Sequence, residues 1–207
     1  MRRLIIIAMF GLVLATPCAA ETLDILIFGA TGNIGSKAVI EALDRGHHVT
    51  AVSRDPSQIE LKHENLAAAK GDLLDLYSIG ELVVGRDVVI TSVRGVIGDS
   101  KTPESALQYI AVRNVVEALR AVGPDAPRLI HVGGAGSLEV EPGVLYADTL
   151  PKVFLPKKIE VEIAGQVIAL DYLRTVSDVR WTCATPPKNL TNGERTGQFR
   201  IGGDQLM

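Results

Sequence analysis

Three glycines spaced three residues apart, Gly29, Gly32 and Gly35, are the residues of this chain that point most directly to chemistry. They follow the apolar run 23–28 and precede a segment with helical periodicity at 34–45. A strand, a glycine turn and a helix in this order offer free N–H groups and the positive end of a helix dipole to a pyrophosphate. Gly29 would make the turn, Gly32 would let phosphates approach the backbone, and Gly35 would let helix and strand pack. The alternative is a plain tight turn.

The end of the second predicted strand indicates which dinucleotide would bind. The order there is Ser53-Arg54-Asp55. Arg54 offers a planar fork for a 2′-phosphate, and Ser53 adds a hydroxyl donor, so NADP(H) is favoured over NAD(H). Asp55 keeps two alternatives open, because a carboxylate here can accept from the ribose hydroxyls of NAD or cap the turn at Pro56.

The elements that must position these residues alternate between short β-branched runs and longer amphipathic segments. Predicted strands span residues 23–28, 48–53, 66–70, 87–92, 128–132 and 179–185, and predicted helices span 34–45, 102–122 and 157–175. The second helix is expected to start at Thr102-Pro103, with the threonine as N-cap, and residues 193–203 are expected to form a loop or hairpin. We therefore predict an α/β protein with a Rossmann-type, doubly wound parallel sheet in three layers, formed by one domain at 21–207.

Residues 1–20 differ in kind from the rest. Arg2-Arg3 precede an unbroken apolar run at 4–15, and small residues lead up to Ala20. This order is typical of a secretory signal peptide, and the run is shorter than a bilayer-spanning helix. We expect export to the periplasm or outside the cell, with no stable membrane anchor after cleavage. An uncleaved interfacial anchor is the alternative, and both the Sec and the twin-arginine route stay open.

Composition limits the classes of molecule that the protein is expected to bind. The chain has 207 residues, 47% of them hydrophobic, and a net charge of -3 with no basic stretch. No nucleic-acid partner is therefore expected, and a small molecule is favoured. The histidines have no metal-ligand spacing, so no metal site is predicted. Of the two cysteines only Cys183 would survive cleavage, and we interpret it as a core residue.

The glycine motif GATGNIG, Ser-Arg-Asp-Pro after the second strand and Gly-Asp-Leu after the third together resemble the atypical short-chain dehydrogenases with an NAD(P)H-binding domain. The segments GGAGSLEV, WTCATPP and GERTGQFRIGGDQL are similar to the branch described as NADH-flavin reductases, related to the biliverdin reductase B and flavin reductase group. The resemblance runs from about Leu23 to Leu206. Members usually continue through one more strand and a C-terminal helix, so we expect that the domain lacks this strand and helix.

The resemblance assigns cofactor contacts to residues that follow strands. It implies pyrophosphate contacts for Thr31, Gly32, Asn33 and Ile34, an adenosine-phosphate contact for Arg54, adenine contacts for Asp72 and Leu73, a nicotinamide-side position for Ser92 and Gly133, and a carboxamide-side position for Pro186. Local chemistry leaves plainer alternatives open, since Asp72 can form a turn, Ser92 can cap a strand and Pro186 can stop one.

The catalytic pair of typical short-chain dehydrogenases, Tyr-x-x-x-Lys, is missing. The residues four positions after the tyrosines are Glu81, Arg113, Leu150 and Val176. This departure argues against alcohol oxidation and sugar epimerisation, and it is compatible with hydride delivery to a flavin, quinone or similar conjugated acceptor. Ser137, in the glycine loop after the fifth strand, is the catalytic candidate, with loop closure as its alternative. His131 is interpreted as a core histidine.

Two other functions remain open at this stage. The first is a non-catalytic NAD(P)-binding sensor or interaction protein, as in the NmrA-like relatives of the superfamily. The second keeps the fold alone and binds no nucleotide. The oligomeric state does not follow from the sequence.

Overall fold

The computed structural model describes residues 21–99 and 101–207. The proposed signal peptide at 1–20 lies outside these residues. The strands are β1 (Asp24–Phe28), β2 (His48–Ser53), β3 (Leu66–Lys70), β4 (Val88–Thr91), β5 (Arg128–Val132), β6 (Glu139–Glu141), β7 (Val144–Leu145) and β8 (Trp181–Ala184). The α-helices are α1 (Asn33–Asp44), α2 (Leu76–Val83), α3 (Leu107–Val122), α4 (Tyr146–Thr149) and α5 (Lys157–Thr175).

A six-stranded sheet with the order β3-β2-β1-β4-β5-β8 forms the centre of the domain. Every pairing in it is parallel, from β3 on one edge to β8 on the other. This strand order is that of the Rossmann fold, so the predicted doubly wound architecture is confirmed. The chain builds the sheet outward from β1 to β3, then crosses back to place β4 on the other side of β1.

The two faces of the sheet bury different helices. Leu26 and Phe28 of β1 point into a core formed with α2, α3 and α5. Ile25 and Ile27 point the other way, into a smaller core formed with α1. The alternation follows from the two-residue period of a strand, and residues on both faces are apolar because both faces are covered.

Three segments differ from the sequence prediction. Helix α3 begins at Leu107, because Pro103–Ser105 form a separate 3-10 turn and Ala106 is extended; the prediction of a start at Thr102 was wrong. Helix α2 was missed; it is N-capped by the Asp75 carboxylate, which accepts from the backbone N–H groups of Tyr77 and Ser78. The short antiparallel pair β6 and β7 was also missed.

The remaining predicted elements agree to within a few residues at their ends. Residues 193–203 contain no regular secondary structure, in agreement with the predicted loop. Nowhere in the described part of the chain is a helix both long enough and apolar enough to cross a bilayer.

Candidate functional site

The predicted binding residues gather where the strands of the parallel sheet end. β1 and β4 are neighbours, but the chain leaves them toward opposite edges of the sheet. Such a switch point opens a crevice at the carboxyl ends of the strands, and ligands of α/β proteins bind there. The glycine loop follows β1 and opens α1 at this crevice.

The geometry of the glycine loop explains why two of its positions require glycine. Gly29 has a φ of +79°, and a Cβ on it would overlap the backbone carbonyl of Ser92. A Cβ on Gly35 would overlap the carbonyl of Gly29, so the close packing of α1 against the turn requires a residue without a side chain. The Gly32 N–H donates to the Gly29 carbonyl at 2.9 Å and closes the turn.

The start of α1 is free to bind an anion. Gly32 is its N-cap and offers no side chain, and the first helical bond runs from the Ser36 N–H to the Gly32 carbonyl at 2.9 Å. The N–H groups ahead of Ser36 therefore point out of the helix end, together with its positive dipole. Thr31 and Asn33 are exposed beside them, and Ile34 is half-buried. These residues fit a pyrophosphate.

The end of β2 separates the roles left open for Arg54 and Asp55. The Asp55 carboxylate accepts from the Ser57 N–H at 3.1 Å and from the Ser57 hydroxyl at 2.7 Å, and it caps the 3-10 turn at Pro56–Gln58. The pKa of Asp55 is lowered, mainly because the Ser57 hydroxyl donates a hydrogen bond to its carboxylate. Arg54 is exposed, and within the described residues its guanidinium has no hydrogen-bond or ion-pair partner. The cation is available to a ligand, whereas the carboxylate is already engaged.

The loop after β3 is fixed from two sides. The Asp72 carboxylate accepts from the Leu74 N–H at 2.9 Å, which is the turn-forming alternative considered for this residue. The Asn114 side chain of α3 donates to the Leu73 carbonyl at 2.8 Å, an anchor that the sequence did not reveal. Leu73 itself is buried in the core, so only its backbone can reach an adenine.

The ends of β4, β5 and β8 lie side by side at the other half of the crevice. The Ser92 N–H donates to the Phe28 carbonyl at 3.0 Å, and the Gly133 N–H donates to the Ala184 carbonyl at 3.1 Å. Both residues therefore continue the sheet by one step. Pro186 follows β8 and is half-buried. The structure brings these three predicted residues to one end of the sheet.

Ser137 does not present its hydroxyl to a ligand. The side chain is buried, and the hydroxyl donates to the Gly134 carbonyl at 3.0 Å. It closes the 3-10 turn Ala135–Ser137 that follows β5. This geometry matches the loop-closing alternative for Ser137 rather than the catalytic one.

His131 is a core residue, as the sequence suggested. Its ring is fully buried, and its Nδ1 lies 2.8 Å from the Thr91 hydroxyl on the neighbouring strand. Burial lowers the pKa of His131 to about 4, so the imidazole is neutral near pH 7. A buried neutral histidine on a central strand contributes to packing and is shielded from the crevice.

One polar cluster near the crevice escaped sequence reasoning. Glu162 of α5 is buried and binds Arg94, from the loop after β4, and Gln108, from the first turn of α3. Glu162 lies 54 residues after Gln108 and 68 residues after Arg94 in the chain. No local pattern could have connected them, because only the packing of α3 and α5 brings them together.

Comparison with protein-family models matches residues 29–206 to a family described as NAD(P)H-binding. The chain belongs to this NAD(P)H-binding family. The match starts at the first glycine of the loop and spans every strand of the sheet after β1, so it covers the crevice described above.

Solved structures of similar proteins share this architecture. A putative exported protein from Burkholderia pseudomallei is 36% identical, with a TM-score of 0.72 over 90% of this chain and 82% of that one. A putative NADH-flavin reductase from Streptococcus pneumoniae is 28% identical, with a TM-score of 0.72 over 89% and 82%. A putative epimerase from Bacteroides thetaiotaomicron is 28% identical, with a TM-score of 0.77 over 90% and 81%.

Proposed function

We propose that this NAD(P)H-binding protein is a reductase that uses NADPH and passes hydride to a flavin, a quinone or a similar conjugated acceptor. The observation that carries the cofactor choice is the contrast at the end of β2. The Arg54 guanidinium is unpaired within the described residues, and the neighbouring Asp55 carboxylate is occupied by Ser57. An unpaired cation beside a glycine loop favours a 2′-phosphate over a bare ribose.

The side chains explain which chemistry is favoured. When bound, NADPH supplies a hydride from its nicotinamide ring, and the acceptor takes that hydride together with a proton from solvent. The start of α1 would bind the pyrophosphate of the cofactor, and Arg54 would bind its 2′-phosphate. The ends of β4 and β5 would face the nicotinamide side. No tyrosine is followed four positions later by the lysine that would activate it. This absence disfavours an epimerase reaction, although one structural neighbour is named a putative epimerase.

Titration of the purified protein with NADPH and NADH, followed by nicotinamide fluorescence, tests the cofactor proposal. Steady-state oxidation of NADPH by flavins and quinones then tests the reaction. We expect tighter binding of NADPH than of NADH, and turnover with at least one conjugated acceptor. Tight dinucleotide binding without turnover would favour the non-catalytic sensor. If the folded protein bound neither dinucleotide, the glycine loop would be a plain turn with no role in cofactor binding.

We also propose that the protein is exported and that residues 1–20 are removed. The charged, apolar and small segments of the N-terminus support this, as does the similarity to a protein named as exported. Cell fractionation followed by N-terminal sequencing is the test. We expect the protein outside the cytoplasm with Glu21 as its first residue, and a cytoplasmic chain that retains Met1 or Arg2 would contradict the proposal.

A further inference from the structure

Arg94 is held in place although it is exposed. Its Nη2 donates to Glu162 Oε2 at 3.2 Å, and its Nε lies 2.9 Å from Glu162 Oε1 in an ion pair. The Arg94 side chain is 76% exposed, whereas the side chain of Glu162 is only 8% exposed. A long exposed side chain normally samples many rotamers, so the buried carboxylate fixes the head group before any ligand arrives.

The head group retains hydrogen-bonding capacity. A guanidinium carries five N–H donors; one on Nη2 is bonded to Glu162, and Nε faces the same carboxylate in the ion pair. No other described residue takes a hydrogen bond from Arg94. An anion in front of the guanidinium would lie closer to it than to the carboxylate behind it, so the net interaction is attractive. The remaining donors match a phosphate or carboxylate oxygen pair.

The carboxylate that fixes Arg94 is itself part of a buried cluster. Gln108 of α3 donates its side-chain amide to Glu162 Oε1 at 3.3 Å. The Gln108 Oε1 atom is buried and has no hydrogen-bond partner among the described residues. An unpaired buried acceptor costs stability, so its presence calls for an explanation, and a role in supporting a binding group is one. Glu162 and Gln108 therefore form a buried cluster that can hold the Arg94 guanidinium in a fixed position.

Helix α5 links Arg94 to the loop after β5, at the carboxyl end of the sheet. Next to Glu162 on α5, Ile163 lies against Gly136, and one turn later Gln166 lies against Gly134. The same part of α5 thus contacts the loop after β5 and holds Arg94 of the loop after β4. A conjugated ring lying on the nicotinamide would pass between these two loops.

We propose that Arg94 binds an anionic substituent, a phosphate or a carboxylate, on the acceptor, and that Glu162 is its positioning residue. This inference rests on the proposed reductase function and adds a substrate class to it. The favoured acceptors are conjugated ring systems that carry a negative charge on a side chain.

The test compares acceptors that differ in the charged group alone. FMN and riboflavin share the isoalloxazine ring and differ by one phosphate; a carboxylated quinone and its methyl ester form the second pair. Binding of each to the protein saturated with NADP⁺ is followed by fluorescence, independently of turnover. We expect the anionic member of a pair to bind at least about tenfold tighter, and Arg94→Ala to abolish that preference. The pair that responds identifies phosphate or carboxylate as the recognised group.

Two further variants separate positioning from folding. Arg86→Ala removes an arginine at the opposite end of the sheet, just before β4, and is expected to keep the preference. Glu162→Gln retains the side-chain volume but frees Arg94; we expect a several-fold weaker anionic acceptor, unchanged binding of the neutral one and an unchanged Kd for NADPH.

The results distinguish the inference from the proposed function. A preference that depends on Arg94 in a protein that turns over no acceptor would support the inference and contradict the reductase proposal. Equal affinity for charged and neutral acceptors, or loss of NADPH binding in Arg94→Ala, would overturn the inference even if flavins are reduced.

Discussion

Arg54 is the side chain with which we would test the nucleotide preference. Replacing Arg54 by Ala removes an exposed guanidinium that has no other partner in the described residues, so folding should be unaffected. Loss of a charged contact to the 2′-phosphate should weaken NADPH binding by about 2 kcal/mol, or roughly thirtyfold in Kd, and leave NADH nearly unchanged. Fluorescence titrations of both dinucleotides measure the two constants.

The control for Arg54 lies at the C-terminal end of α1, where Arg45 is the C-cap residue. Arg45→Ala also removes an exposed arginine, but one that is paired with Glu41 four residues earlier. It should change neither dinucleotide constant. If Arg54→Ala weakened NADPH and NADH by the same factor, the side chain would serve the common part of the cofactor and the assignment of NADP specificity would be wrong.

Sequence reasoning at the residue scale worked where chemistry is local. The glycine triplet and the order Arg54-Asp55 each lie within one short segment, so their turn and cap geometry could be anticipated from the chain. The Arg94 and Glu162 pair could not, since its members meet only through the packing of α5 against the loop after β4. Ser137 was proposed because it follows a strand, and that rule cannot tell a hydroxyl facing a cleft from one that closes a turn.

At the scale of elements, the contact between the glycine turn and α1 leaves no room for a side chain at Gly35. A methyl group at Gly35 would overlap backbone atoms of Gly29 and Ala30, which no side-chain rotation can relieve. Gly35→Ala should therefore displace α1 from β1, lower the free energy of unfolding by about 1–3 kcal/mol and weaken dinucleotide binding. Urea unfolding measures the change in the free energy of unfolding, and the NADPH titration measures the change in Kd.

Gly80 provides the matched control for this prediction. It lies within α2, and a Cβ on it would meet nothing within 4 Å. Gly80→Ala should raise the free energy of unfolding by up to about 1 kcal/mol, because alanine loses less backbone freedom on helix formation. If Gly35→Ala behaved like Gly80→Ala, the close approach of turn and helix would have no energetic role.

The elements themselves were predictable in proportion to their length and their apolar pattern. β5 and α5 match their predicted ranges, since a short, mostly apolar run that ends in glycines and a long segment after Pro156 are both distinctive. Helix α2 was missed because it has only 8 residues and contains a glycine. The pair β6 and β7 has strands of 3 and 2 residues, too short for a two-residue period to be recognised.

On the scale of the whole molecule, ion pairs join distant parts of the chain at the surface. Arg195 in the C-terminal loop binds Glu41 of α1 through two contacts of 2.7 Å, and Arg120 of α3 binds Asp178 before β8. Hydrogen bonds from Arg195 and then Arg45 lower the pKa of Glu41 to about 2. Because these exposed pairs are screened by solvent, we expect them to add little to the stability that the two apolar cores supply.

The buried His131 gives the whole fold a pH dependence at mildly acidic pH. Its pKa is lowered from 6.5 to about 4 in the folded state because the charged imidazolium would be buried between β4 and β8. The unfolded chain therefore binds this proton first as the pH falls. Stability from the neutral ring is complete above about pH 6.5, falls between pH 6.5 and 4, and is not lost further below that range.

This linkage predicts the behaviour of a variant that cannot titrate. Between pH 7 and pH 5 the free energy of unfolding of the wild-type protein should fall by about 2 kcal/mol through His131 alone. His131→Asn can keep the hydrogen bond to Thr91 without a titrating group, so its free energy of unfolding should vary less with pH by that amount, although its packing is poorer. Urea unfolding monitored through Trp181 at several pH values gives both slopes. Parallel slopes would mean that the folded protein accommodates the charged imidazolium, for example by opening β5 to water, and His131 would then not stay fully buried at acidic pH.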